Sequence, residues 1–339
     1  MTTNDFPPQL VLQQLIQGFQ VTKCLYVVAK LGIADLLKDG PRTSEDLAQV
    51  TGTYAPSLYR VLRLLTAPGL LIEGEAHSFA LTPLGTYLQT GVPGSMRTTA
   101  LNYGGEPTWQ VWGALLHSVE TGEPAYQHVF GCANWDYRAR HPEAAALFDQ
   151  TMTEWTASVA PTVAAAYDFS ASPTLVDVGG GHGQMLASIL QAHPTLHAVL
   201  FDLPHVVQGA PSLLEAAGVA DRCEVVGGDA FTAVPADYET YLLSRVIHDW
   251  DDERAIAMLT RCQQAMKPQG KVLLVERVIL SGSTPPLLVL ESDVNMLVAT
   301  GGKERTEAEY RTLLSAAGFE VLRMIAVLPP FYVIEAVRR

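Results

Sequence analysis

Leu175–Gly183 reads LVDVGGGHG, a short apolar strand that runs into a glycine-rich turn, and residues 184–192 then follow a helical pattern. A strand that ends in glycines before a helix brings bare backbone against a ligand at the carboxyl edge of a sheet. Counted from Gly179, the glycine spacing is Gly-x-Gly-x-Gly. This stretch therefore predicts a ligand-binding α/β domain.

Strand and helix patterns alternate from this point onward. Apolar strand candidates lie at 198–201, 223–226, 240–243 and 271–276, and the segments between them are long enough for helices. This alternation is typical of a parallel sheet wound by helices. Two last strands, 319–327 and 331–337, flank Pro329-Pro330 as an antiparallel hairpin, so we expect an α/β, Rossmann-like sheet of seven strands.

Acidic residues follow the second and third strands of this series. Asp202 can accept hydrogen bonds from ribose hydroxyls, and Asp229 comes within reach of an adenine. Each alone could be a turn-forming Asp, but glycines, Asp and Asp at three successive strand ends favour S-adenosylmethionine as the cofactor. The alternative is an NAD-dependent dehydrogenase, whose fingerprint needs a small residue where Gln184 stands.

A histidine lies just beyond the fourth strand, within Ser244–Glu253. Methyl transfer from a sulfonium to a phenol needs an oxygen nucleophile, and His248 titrates in the range where it can take the hydroxyl proton. It belongs to the same sheet edge as the glycine turn, although a solvent-facing histidine at a helix entry is the ordinary alternative. Asp251, Asp252 and Glu253 could join it as metal ligands, but acids at a helix start are more typical of capping. No metal is predicted.

Two glutamates are candidates to orient the imidazole. Glu276 ends the fifth strand, and Glu304 lies in Gly301–Thr306. A carboxylate at a ring nitrogen selects the tautomer and stabilises the imidazolium. Considered by itself, Glu304 would be a surface acid at a helix start.

The N-terminal part has the pattern of a winged helix. A long apolar helix over 8–37 precedes helices at 43–50 and 55–65 and a hairpin over 70–81. Arg60 and Arg63 lack a basic platform, and the net charge of -13 argues against nucleic acid. The unit is better explained as a dimerisation domain that buries the apolar helix against a second copy. A ligand-sensing regulator with an idle catalytic domain is the alternative.

Residues 101–170 are helical and rich in large side chains, which form either ordinary core or the wall of a pocket for a flat aromatic ligand. These side chains are Tyr103, Trp109, Trp112, Trp135, Tyr137, Phe148, Met152 and Trp155. We place the N-terminal domain at 1–100 and the catalytic domain at 101–339.

Bulk properties point to a cytoplasmic protein. The four cysteines are scattered without a metal-ligand spacing, and no apolar run reaches the roughly 20 residues of a membrane span. The N-terminus, MTTNDFPPQ, lacks the pattern of a secretory signal.

Five strings together resemble the plant-type small-molecule O-methyltransferases and their bacterial relatives that act on phenols and polyketides. They are LVDVGGGHG at 175–183, FDLPHV at 201–206, GGDAF at 227–231, IHDWD at 247–251 and GGKERT at 301–306. The resemblance spans nearly the whole chain. It implies a homodimer, a metal-free reaction and a small aromatic hydroxylated acceptor, with His248 as general base flanked by Glu276 and Glu304.

The resemblance also implies the contacts around the reacting groups. The cofactor contacts that it implies are Gly179, Gly181, Asp202, Leu203, Asp229, Ala230, Phe231, Ser244, Arg245 and Trp250. The acceptor contacts that it implies are Trp135, Met152, Trp155, Asp249, Met296 and Thr300. Plant members usually carry a lysine where this chain has Ser244, and Arg245 is expected to supply a related contact.

Overall fold

The computed structural model describes residues 7–280, 282 and 284–339. The chain forms two compact units, of which one ends at Trp109 and the other begins at Gln110. Residues 1–6 of the predicted N-terminal domain lie outside the described residues.

The first unit contains helices and a small antiparallel sheet. Its helices are α1 (Pro8–Lys30), α2 (Ile33–Leu36), α3 (Ser44–Thr51), α4 (Ala55–Leu64) and α5 (Arg97–Gly104). Its strands are β1 (Arg42–Thr43), β2 (Leu71–Glu73) and β3 (Ser78–Leu81), in the order β1-β3-β2. The winged-helix-like pattern of two helices and a hairpin is confirmed.

Local signals explain the ends of these helices. Thr43 caps α3 by accepting the backbone N–H of Asp46, and Gly52 closes it in the left-handed conformation, as is usual at helix ends. The helix predicted over 8–37 is wrong in its length, because Gly32 adopts φ 64° and separates α1 from α2.

The division between the units falls nine residues after the predicted boundary at residue 100. The end of α5 packs tightly on α1, where a Cβ on Gly104 would stand 2.4 Å from the Cβ of Tyr26. Lys23 donates to the carbonyl of Gly104 at 2.8 Å and lies 3.8 Å from the ring centroid of Trp109. These contacts hold residues 101–109 in the first unit.

The second unit is an α/β domain. Its helices, the first of which crosses the boundary, are α6 (Glu106–Gly113), α7 (Leu115–Thr121), α8 (Ala125–Phe130), α9 (Asn134–Arg140), α10 (Pro142–Ala166), α11 (Gln184–Ala192), α12 (Ala210–Ala216), α13 (Asp252–Ala265), α14 (Leu287–Ala299) and α15 (Glu307–Ala316). Its strands are β4 (Thr174–Val178), β5 (His197–Asp202), β6 (Cys223–Gly227), β7 (Thr240–Ser244), β8 (Lys271–Ile279), β9 (Arg305–Thr306), β10 (Phe319–Ala326) and β11 (Phe331–Arg338).

The main sheet has the order β10-β11-β8-β7-β4-β5-β6, and the short strand β9 pairs with β8. All seven predicted strands are present. β4 to β8 run parallel, while β10 and β11 form the predicted antiparallel hairpin. Alternate residues of the central strands enter two cores, with Leu175 and Leu242 on one face and Val176 and Tyr241 on the other, as expected of a sheet covered on both faces.

The parallel arrangement positions the site. Because β4, β5, β6 and β7 point the same way, their carboxyl ends meet at one edge of the sheet. That edge carries the glycine turn and the residues that follow each strand. Among the described residues, no helix is long and apolar enough to span a membrane.

Candidate active site

The glycine turn after β4 lies against the neighbouring strand ends. A Cβ on Gly179 would stand 2.7 Å from Val246, and one on Gly180 would stand 2.5 Å from Leu200. Gly181 has φ 60°, and nothing lies within 4 Å of where its Cβ would be. Glycine is therefore required on the inner side of the turn, and the turn has an open outer face for a ligand.

Asp202 lies beside this turn at the end of β5. Its carboxylate accepts the backbone N–H of Gly181 at 2.8 Å and that of Leu203 at 2.6 Å. Burial raises the pKa of Asp202, while these two N–H donors oppose the rise. The carboxylate is held in one orientation and retains lone pairs for further hydroxyl donors.

An aromatic group borders the loop after β6. Asp229 accepts the backbone N–H of Phe231 at 2.9 Å, and Ala230 packs against the core on that face of the sheet. The rings of Phe231 and Trp250 meet edge to face with centroids 4.7 Å apart, and the guanidinium of Arg254 covers both rings. These contacts bring the predicted cofactor residues of β6 and the His248 turn together.

His248 lies in a tight turn after β7 and is buried, with 7% of its surface exposed. Glu276 holds the turn by accepting the N–H groups of Val246 and Ile247 at 3.1 and 2.9 Å. The backbone of Gly302 lies against the same turn, where a Cβ would stand 2.0 Å from the carbonyl oxygen of His248. Lys303 then donates its N–H to that oxygen at 2.9 Å.

The structure brings both predicted glutamates to the imidazole. Nδ1 of His248 lies 3.0 Å from Oε1 of Glu304 and 3.7 Å from Oε2 of Glu276. Both glutamates are buried, with 2% and 0% of their surfaces exposed, so Glu304 is not the surface acid that its local sequence suggests. Nε2 of His248 faces Asp249, whose Oδ1 lies 3.8 Å away.

These carboxylates determine the charge of the imidazole. Burial opposes the imidazolium, but Glu304 and Glu276 outweigh it and raise the pKa of His248 to about 9. Burial raises the pKa of Glu276 to about 7 and that of Asp249 to about 6. At neutral pH the resting site therefore holds an imidazolium.

The trio of His248, Glu276 and Glu304 also has the spacing of a metal site, since one ligand atom from each lies within 4.8 Å of the others. However, Oε1 of Glu304 already accepts from Ser292 at 2.6 Å and from the cationic Arg277 at 3.2 Å. A guanidinium on the oxygen that a metal would need favours proton handling in this cluster.

The predicted acceptor residues lie on α9, α10 and α14, except for Asp249, which is in the His248 turn, and Thr300, which directly follows α14. The guanidinium of Arg245 donates to the carbonyl of Met152 on α10, and burial lowers the pKa of Arg245 to about 10. Trp135 packs between Phe148 and Trp250, with centroid distances of 5.8 and 6.4 Å. This places one predicted wall residue directly beside the cofactor-side aromatic group.

The remaining predicted residues are partly or fully buried on their elements. Met296 is 8% exposed and accepts from Thr300 through its carbonyl at 3.2 Å. Trp155 on α10 is partly buried, and Ser244 ends β7, where it pairs with Val275. The acids after His248 cap α13 as expected, since Asp251 accepts the N–H of Arg254 at 2.8 Å.

Three residues that support the site were not predicted. Arg277 and Ser292 bind Glu304, and Arg305 clamps the His248 turn by donating to the carbonyls of Ile247 and Trp250 at 3.0 and 2.8 Å. An arginine beside a glutamate within the apolar string KVLLVERVIL was a usable signal. Ser292 had none.

Family models match both units of the chain. Residues 112–320 match an O-methyltransferase domain, and residues 13–91 match an O-methyltransferase dimerisation domain. The glycine turn and the acidic residue beside it at the carboxyl edge of the parallel sheet agree with these matches. The chain belongs to the O-methyltransferase family.

Individual relatives agree along the full length. A phenazine O-methyltransferase of Lysobacter antibioticus is 44% identical over 340 residues, which cover 99% of both chains. An 8-amino-8-demethylriboflavin N,N-dimethyltransferase of Streptomyces davaonensis is 37% identical and covers 94% of this chain and 93% of its own. A crystal structure of an O-methyltransferase of neocarzinostatin biosynthesis, in complex with S-adenosylmethionine and 2-hydroxy-5-methyl naphthoic acid, matches with TM-score 0.83 and 32% identity, covering 94% of this chain and 96% of that one.

This chain is therefore an S-adenosylmethionine-dependent methyltransferase of secondary metabolism. The cofactor prediction is confirmed, and the nicotinamide alternative is wrong. The winged-helix-like unit matches a dimerisation domain rather than a regulator's DNA-binding domain.

Proposed function

We propose that this enzyme transfers the methyl group to a hydroxyl of a small aromatic acceptor and that His248 is the general base. The observation that carries the proposal is the buried contact between His248 and Glu304 at the sheet edge that also bears the glycine turn. A base that is oriented by a buried carboxylate suits an acceptor that must lose a proton, as a phenol does.

The charge state of the site defines how the proton moves. Nδ1 of His248 stays hydrogen-bonded to Glu304, so Nε2 is the nitrogen that faces the acceptor. The resting site holds an imidazolium and a neutral phenol, and one proton must leave before methyl transfer. The reactive state is then either a neutral imidazole with a phenol or an imidazolium with a phenolate. The imidazole takes the hydroxyl proton, and Glu304 and Glu276 stabilise the imidazolium that forms.

The residues around the glycine turn fit S-adenosylmethionine. The open face at Gly181 admits a ligand, and the oriented Asp202 carboxylate can accept from ribose hydroxyls. We assign Asp229, Ala230 and Phe231, together with Trp250, to the adenine side, and Ser244 and Arg245 to the methionine end. When bound, the cofactor supplies an electrophilic methyl group on a sulfonium.

The acceptor class is tested with matched pairs of compounds. Aromatic rings that carry either a hydroxyl or an amino group at the same position are incubated with methyl-labelled cofactor, because the relatives named above include both O- and N-methyltransferases. We expect label on the hydroxyl members. Transfer to the amines alone would contradict O-methylation.

Replacing Asp202 by alanine should weaken the binding of S-adenosylmethionine by about 1.5–3 kcal/mol, the range for hydrogen bonds to a charged group. Titration calorimetry measures the effect, with Asp221→Ala as the control because Asp221 is an exposed acid in the same unit. Equal affinity of Asp202→Ala and wild type would remove Asp202 from the site.

We also propose a homodimer formed through the first unit. On α1, the large apolar side chains Leu12, Leu15, Ile16 and Phe19 are all exposed, and together they form an apolar face too large for a monomer in water. Wild type should sediment as a dimer at micromolar concentration, and Leu15→Glu with Ile16→Glu should shift it to monomer. Val50→Glu, at another exposed apolar position, is the control, and an active wild-type monomer would contradict the proposal.

A further inference from the structure

Arg277 is a buried cation within an apolar strand. It lies next to Glu276 on β8, and 5% of its surface is exposed. Its Nη1 donates to Oγ of Ser292 at 2.9 Å and to Oε1 of Glu304 at 3.2 Å. The same Oε1 accepts from Ser292 at 2.6 Å and lies 3.0 Å from Nδ1 of His248. One carboxylate oxygen is thus shared by a guanidinium, a hydroxyl and an imidazole.

The shared oxygen brings two cations, Arg277 and protonated His248, close to each other. Burial alone would raise the pKa of Glu304, but His248 and Arg277 outweigh it and bring that pKa to about 2. The ionised carboxylate attracts the Nδ1 proton of His248, whereas the fixed positive charge of Arg277 opposes a second positive charge nearby. Arg277 therefore stabilises the carboxylate of Glu304 and weakens the attraction of that carboxylate for the imidazolium of His248.

We propose that Arg277 is a positioning residue that limits how firmly Glu304 retains the proton of His248, and so keeps the imidazole available as a base nearer to neutral pH. The proposal rests on the general-base role of His248 proposed above. Arg277 acts through Glu304, since the contact between them is direct and the imidazole is reached across the shared oxygen.

The packing around Arg277 leaves part of its guanidinium without a polar partner. Nε of Arg277 is buried without a hydrogen-bond partner among the described residues, and the guanidinium otherwise faces the ring of Phe331 with 4.8 Å to its centroid. A buried N–H without an acceptor is costly. Removing one partner of a buried ion pair is generally destabilising, because the other charge loses its compensation, so the test below reads the titration of His248 rather than stability.

Other charged or titratable groups also face this cluster, and they remain unchanged in every variant below. They are Glu276 on β8 itself and, on neighbouring segments, Asp249, Arg245, Asp293 and Tyr310. Differences between variants at position 277 therefore report the charge at that position.

The test measures the pKa of His248 directly. Full-length protein saturated with S-adenosylhomocysteine is labelled at the histidine rings, titrated by NMR and assigned with His248→Gln. In Arg277→Met, the pKa of His248 should rise by about one unit, the lower end of the effect of a close charge, and the pH profile of kcat/KM for a neutral phenol should move upward equally. Arg277→Lys keeps the charge and should restore both values.

Arg222→Met is the matched control, because Arg222 is a partly buried arginine that donates to the carbonyls of His193, Leu196 and Leu190. It should leave the titration of His248 in place, whereas Arg277→Met should shift that titration. Should Arg277→Met not fold, Arg277→Gln carries the same test, since it keeps an N–H donor without the charge.

The outcomes separate this inference from the proposed function. An unmoved His248 titration in a folded, uncharged variant at position 277 would overturn the role of Arg277. A titration that moves while the pH profile of kcat/KM stays in place would support the role of Arg277 and contradict His248 as the base.

Discussion

His248→Ala is expected to lower turnover of an un-ionised phenol by about 10²–10⁴, the usual cost of removing a general base. Binding of S-adenosylmethionine should change little, because the variant keeps every assigned cofactor side chain and because Asp202 and Asp229 lie at other strand ends. Residual activity is expected, since the enzyme still positions the two reactants. The measurement is turnover by wild type and variant under saturating cofactor.

The comparison across acceptors of different acidity distinguishes a base from a positioning residue. An acceptor that is ionised at the assay pH needs no base, so the penalty of His248→Ala should shrink as the acceptor pKa falls. Glu276→Gln and Glu304→Gln are the graded controls and should reduce turnover less than loss of the imidazole does. An equal penalty for ionised and neutral acceptors would show that His248 only positions the acceptor.

The kcat/KM of the wild-type enzyme should also depend strongly on pH. For a phenol of pKa about 10, kcat/KM should rise about tenfold per pH unit from about pH 6, because Glu304 and Glu276 raise the pKa of His248 to about 9 and the reactive state has lost one proton. The sulfonium charge of the cofactor lowers the pKa of a nearby imidazole, so the break is expected at or below this value.

An acceptor that ionises near neutral pH provides the control. Its phenolate needs no base, so kcat/KM should stay level above the acceptor pKa, including through the pKa of His248. A level profile for the neutral phenol between pH 6 and 9 would contradict the elevated pKa of His248 in the working enzyme.

Local patterns in the sequence were sufficient to predict the succession of strands and helices along the chain and the sheet edge that carries the glycine turn and His248. Helix α11 begins and ends at the predicted residues, Gln184 and Ala192, and the strand candidates match β4 to β8 within a few residues. Glycine turns, strand periodicity and capping acids are short-range features, so they can be read without knowing the tertiary contacts. Asp202 and His248 were predicted as site residues because each comes after one of these strands.

The tertiary structure alone accounts for the charge state of the site and for the division of the chain. Glu304 reaches His248 from 56 residues away and is buried there, although its own neighbours in the sequence predict a surface position. The roles of Arg277 and Ser292 depend on β8 and α14 meeting at one carboxylate oxygen. Proton affinity depends on burial and on charges within a few ångströms, and these are properties of chain segments brought together by folding, which no local pattern encodes.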